Sequence, residues 1–166
     1  LHATNAQSEA ALWSYLLDVD LVATIRADDR PTDDVVRWRL TDPRRLQVFQ
    51  VTDHLWLRVV DVAAALSGRT YASDDSLVLD LTDRFRPANN GAWLVEGGPD
   101  GARCTRTDRE PDLLLSAADL GALYLGGVDA TVLARAGRVR EAKAGALTRA
   151  DRFFRSFPAP WCSTHF

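Results

Sequence analysis

The feature that most restricts the fold is a change of hydrophobic period along the chain. In the run 76–83 (SLVLDLTD), Leu77, Leu79 and Leu81 alternate with more polar residues, which is the period of a half-buried strand in an antiparallel sheet. Beyond Ser116 the apolar spacing becomes helical, with Leu120, Leu123 and Tyr124 on one face. Strand-like segments come first and helical segments follow. That order predicts an α+β fold, an antiparallel β-sheet packed with helices.

Local chemistry fills in the elements. LWLRVVDV (55–62) reads as a strand, VAAALSG (62–68) as a short helix stopped by Gly68, and DLLLS (112–116) as a further strand. Between them AWLVEGGPDGARCTRT reads as a hairpin, because Gly97, Gly98, Asp100 and Gly101 supply turn chemistry. Ser116 is placed to cap the helix AADLGALYLG, Gly126-Gly127 to stop it, and further helices follow at 129–138 and near 146–156. Ahead of the sheet, residues 8–18 predict a helix capped by Ser8 with Ala11, Leu12, Tyr15 and Leu16 on one face. From Asp20 the run DLVATIRAD is extended and β-branched. A lone strand has no ladder partner, so this stretch reads as the edge of a preceding domain.

Composition narrows the function classes. With 166 residues there is room for one domain and part of a neighbour. No apolar run approaches the ~20 residues of a membrane span. The net charge is −3, with Arg scattered among Asp, so nucleic acid has no electrostatic footprint here. Cys104 and Cys162 allow at most one disulfide. The chain opens Leu1-His2-Ala3 and contains no Met, so it is expected to be a piece of a longer polypeptide.

Candidate chemistry is sparse. Cys162 and His165 have zinc-like spacing, but the only other histidines are His2 and His54, and no metal site is expected. No Walker loop and no GxGxxG fingerprint occurs. The acidic loop of Asp28, Asp29, Asp33 and Asp34 reads as solvated. The tail is more informative: Phe157, Trp161 and Phe166 offer apolar anchors, and Pro158 and Pro160 stiffen it. A docked tail would deliver the α-carboxylate of Phe166, with an ordinary pKa of about 3.5. Such a group binds an ammonium, and desolvation raises its basicity. On pattern alone, packing of the tail is the plainer reading.

Taken in order, ALWSYLLDVDLVATI (11–25), LWLRVVDV followed by AAAL (55–66), GPDGARCTRTD (98–108), LGALYLGG (120–127) and the final Phe166 resemble the C-terminal part of the enhanced intracellular survival (Eis) acetyltransferases. The resemblance implies two acetyltransferase-like (GNAT) domains followed by a sterol-carrier-protein-like domain. Residues 1–50 would be the remnant of the second GNAT-like domain and 51–166 the sterol-carrier-like domain. Acetyl-CoA would be bound by an absent first domain, with no cofactor expected in this chain, whose sequence lacks the Arg/Gln-x-x-Gly-x-Gly/Ala loop.

The implied substrate is a cationic amine, on an aminoglycoside, a lysine or a small molecule. By resemblance the terminal carboxylate of Phe166 is the general base and Asp53 contacts the substrate; the residue-level alternative for Asp53 is a turn residue that starts a strand. His165 stands where the family often has an acidic residue next to the terminus, and with Asp53 and Phe166 it is expected to border the substrate. The resemblance further implies a bacterial cytoplasmic protein, of a family with some exported members, that forms hexamers, the fragment being inactive alone. Two other readings stand beside it, a lipid-binding sterol-carrier-like module and a purely structural oligomerisation domain.

Overall fold

The computed structural model describes residues 3–162 and 164. It divides into two compact units: the chain up to Leu55 together with the tail from Trp161, and the segment Trp56–Pro160.

In the first unit, helix α1 (Ala6–Leu17) starts earlier than its expected cap. Asn5 is the N-cap, and its side-chain oxygen accepts from the Ser8 amide at 2.8 Å. The buried face also differs from the expected one. Trp13 is the buried residue, whereas Leu12 and Tyr15 are 40% and 72% exposed. Over the Trp13 ring sits the Arg30 guanidinium at 5.6 Å, held by Glu9 at 2.7 Å and Asp34 at 2.5 Å. The acidic loop is therefore tied to α1 at Asp34 and is not wholly solvated. The β-branched run after Asp20 forms no ladder among the described residues, and neither does 46–53, where Val48, Phe49 and Val51 are exposed. Arg26 lies 4.4 Å from the Phe49 ring and so joins the two runs.

The second unit is built on a five-stranded sheet: β1 (Asp75–Thr82), β2 (Gly91–Gly98), β3 (Gly101–Arg106), β4 (Leu113–Ser116) and β5 (Arg140–Glu141). The strand order is β3-β2-β1-β4-β5. The hairpin β2–β3 turns at Gly98–Gly101 as its glycines predict. The sheet is mixed rather than purely antiparallel, because β4 pairs parallel to β1. β4 arrives after the hairpin has used the other side of β1, which leaves β1 central. Flanked on both edges, β1 buries Val78 as well as Leu77, Leu79 and Leu81, so it is not the half-buried strand its alternation suggests.

Helices α2 (Val62–Ser67), α3 (Ala117–Tyr124), α4 (Ala130–Arg135) and α5 (Ala146–Phe154) complete the unit. Ser116 caps α3 in a full capping box with Asp119. On α5, Phe153 and Phe154 are fully buried, and Phe153 stacks on Tyr71 at 3.9 Å. Ser67 at the end of α2 accepts the Cys104 amide at 2.8 Å, which caps an outward-facing donor of edge strand β3.

Residues 55–62 are not a strand. The alternation is real: Val59 is buried and Leu57 packs on the core, while Trp56 and Val60 are exposed. The ladder is what is missing. The Leu57 carbonyl passes so close to Gly121 that a Cβ there would lie 2.7 Å from it, so the segment crosses α3 instead of joining the sheet. Asp61 then caps α2 by accepting from the Ala64 amide at 2.9 Å.

Candidate functional site

Asp53 lies in the extended run that closes the first unit and is exposed to solvent. It starts no strand, since none follows. Its neighbour His54 is half-buried. The two tail residues, His165 and Phe166, lie outside the described residues. Before them, Trp161 is 42% exposed and Cys162 is half-buried, its Sγ 3.6 Å from the Thr164 carbonyl. Trp161 and Cys162 group with the first unit, the one that carries Asp53, although Pro160 still belongs to the second. Phe157, expected to anchor the tail, is 94% exposed.

The tail is instead directed by Gly126 and Gly127, read above only as a helix stop, and by Arg69. After α5 the chain runs across the turn that ends α3. Gly126 occupies the left-handed region at φ +77, and its carbonyl accepts from the Ser156 amide at 3.2 Å. A Cβ on Gly126 would lie 2.2 Å from the Phe154 carbonyl oxygen, and one on Gly127 would lie 2.7 Å from Pro160 Cγ. The glycine pair is thus a helix stop, as read, and also the seat of the outgoing chain. Its signal in the sequence was the doubling, because one glycine suffices to end a helix.

Arg69 secures the same crossing. Its guanidinium donates to the Tyr124 carbonyl and, at 3.1 Å, to the Phe154 carbonyl, so a single side chain closes the C-terminal ends of both α3 and α5. The rings of Tyr71 and Phe154 lie 4.5 and 5.2 Å from it. Burial pushes its pKa down from the ordinary arginine value.

Two buried aspartates brace the central strand, Asp83 at its end and Asp112 at its middle. Asp83 follows β1 and accepts from the Arg86 and Phe85 amides, from Asn89 Nδ2 and from Arg58 at 2.5 Å. These donors, the Arg86 amide foremost, hold its carboxyl down at about 2. Asp112 accepts the Val78 amide at 2.7 Å and draws Lys143 to 3.4 Å. Both are structural.

Acetyl-CoA would need free amides at a helix N-terminus or nest for its pyrophosphate. Those of the described helices are already engaged, by Asn5 at α1, Asp61 at α2, and Ser116 with Asp119 at α3. Asp151 accepts the Thr131 amide of α4, and Glu141 the Leu147 amide of α5. Four of the five ends thus carry a carboxylate that would repel a phosphate, so these four helix ends do not fit this group. Among the described residues there is also no cluster of three His, Cys, Asp or Glu side chains that could hold a metal, and no helix long and apolar enough to cross a membrane.

The architecture agrees with what comparison with known proteins finds. Residues 62–163 match the sterol carrier protein domain family, and residues 1–59 match an acetyltransferase (GNAT) domain. The chain belongs to this sterol carrier protein domain family, in the arrangement where that domain follows a GNAT-type segment. More particularly it is Eis-like. It is 35% identical over 159 residues to N-acetyltransferase Eis of Mycobacterium tuberculosis, spanning 94% of this chain and 38% of that protein. The crystal structure of Eis1 from Mycobacterium abscessus superposes with a TM-score of 0.87 at 38% identity, over 99% of this chain and 41% of that one. An uncharacterised N-acetyltransferase of Streptomyces coelicolor is 46% identical over 161 residues, 97% of this chain and 39% of the relative. The chain therefore spans about two-fifths of the length of its relatives.

Proposed function

We propose that the chain is the C-terminal part of an acetyl-CoA-dependent amine N-acetyltransferase, and that its own contribution is the substrate side of the active site. The observation that carries this reading is the path of the tail. Having formed the second unit, the chain sends Trp161 and Cys162 back to the first, which holds Asp53 and matches the GNAT family. In this reading the domain break lies near residue 50. The sterol-carrier-like domain is then a scaffold that returns the terminus to the acetyltransferase region.

The chemistry follows. The Phe166 carboxylate takes a proton from the bound ammonium, the freed amine attacks the thioester carbonyl, and the thiolate leaves with a proton from an acid elsewhere in the protein. Asp53 and His165 border the cationic substrate, an amine of the aminoglycoside or lysine type. Acetyl-CoA is held by polypeptide outside this chain, so the chain alone turns nothing over. Assembly as a homo-oligomer in the bacterial cytoplasm belongs to the same reading.

The test is to append one residue after Phe166 in the complete protein. The rate should fall about 100-fold or more, as when a general base is displaced. An unchanged rate would overturn the reading. The lipid-binding alternative is disfavoured by the packing, because Phe153, Phe154 and Tyr71 fill the interior between sheet and helices. Titration of this chain with a fluorescent fatty acid should give no saturable signal.

A further inference from the structure

Several contacts of the outgoing tail with the second unit meet at the end of α3. The Ser156 amide bonds Gly126, Arg69 holds the Phe154 carbonyl, and the Pro160 ring rests on Gly127. Pro160 is the last residue of this unit, and the next residue, Trp161, belongs to the other. The Gly127–Pro160 contact is therefore the point at which the tail leaves its scaffold. Gly127 has no positive φ, so an alanine there would strain no backbone; what it would meet is Pro160, with Cγ at 2.7 Å and Cδ at 3.0 Å from the new Cβ.

We infer that Gly127 and Pro160 form a positioning seat that fixes where the tail leaves the second unit, upstream of the carboxylate proposed as general base. This deepens the function proposed above and, for its catalytic part, rests on it. Neither residue touches substrate. Each acts through the six residues that follow Pro160, and a displacement of about 1 Å at a reacting group can cost a factor of 100 in rate. The fit is steric and reciprocal. Alanine at 160 removes both ring atoms that an alanine side chain at 127 would strike, so the paired exchange should restore what either substitution disturbs.

The experiment is a double-mutant cycle with Gly127→Ala and Pro160→Ala, read in two ways. On the chain itself, carboxypeptidase trimming followed by mass spectrometry reports how firmly the tail is held. Each single variant should trim about threefold faster or more, and the double variant should return towards the parent rate. In the complete enzyme, Gly127→Ala should lower kcat about tenfold or more at nearly constant KM and melting temperature, again with recovery in the double variant.

Unchanged trimming in Gly127→Ala, or a double variant no better than the singles, overturns the seat. Altered trimming with unchanged kcat overturns its positioning role. Should Gly127→Ala fail to fold, Pro160→Ala tests the same contact from the tail side, and unchanged trimming there overturns the seat equally. The extension beyond Phe166 separates the two claims. If it leaves activity intact while trimming still obeys the cycle, the general-base reading fails and the seat stands.

Discussion

Asp83 shows how a single carboxylate can hold a strand end. It is buried, receives four donors, and titrates near 2, below the ordinary carboxylate range. A depressed folded-state pKa contributes stability that is present above the unfolded pKa and is lost as pH falls through the folded one. Unfolding followed by fluorescence should therefore show stability declining between about pH 4 and pH 2. Asp83→Asn should be less stable at neutral pH and should flatten that decline. If the variant keeps the same acid slope, another carboxylate is responsible, and Asp75, held down chiefly by its hydrogen bond from Arg149, is the next to examine. Arg69 makes a second residue-scale case. Arg69→Lys keeps the charge but loses the planar fork that reaches two helix ends, so it should cost about 1–3 kcal/mol in urea unfolding.

At the scale of elements, the edge of the sheet and its interior respond differently. β3 is an edge strand, and α2 protects it through the Ser67 hydroxyl. Ser67→Ala would strand the Cys104 amide, and a loss of about 1–2 kcal/mol is expected, measured by chemical denaturation. Phe153→Ala opens a cavity against Tyr71, and about 3–5 kcal/mol should be lost by the same measurement.

The elements also show what the sequence disclosed. The α3 capping box, the glycine-rich hairpin and the short α2 were legible because each rests on contacts within a few residues. The segment 55–62 was misread because alternation reports which side chains point inward and says nothing of whether a neighbour supplies a ladder. Gly121 decided that, by letting a carbonyl approach α3. The parallel β1–β4 pair was illegible for a related reason: direction depends on which side of β1 was already taken.

For the whole molecule, charge is sorted along the chain. Residues 135–155 hold seven of the 20 basic residues and two of the 23 acidic ones. In the fold, Arg138, Lys143, Arg149 and Arg155 meet Asp119, Asp112, Asp75 and Asp129. The basic segment is thus largely spent on acids from elsewhere. A 20-base-pair duplex should show no anisotropy change on mixing with the chain at about 0.15 M salt, where nonspecific binding is screened. The candidate site was only partly legible at this scale: Asp53 and Phe166 came from resemblance, and the seat at Gly126-Gly127 emerged only once α5 was packed against the end of α3.

The parallel pairing of β1 with β4 has a consequence for how the domain assembles. β1, β2 and β3 are neighbours in sequence and can zip together by short loops. The bond from the Val78 amide to Asp112 joins residues 34 apart and cannot form until the whole hairpin lies between them. Closing that long loop is the entropic bottleneck, and every helix from α3 onward enters behind it. During synthesis, then, the meander emerges first and waits with one flank of its central strand open. The C-terminal third both closes that flank and carries the tail away from it.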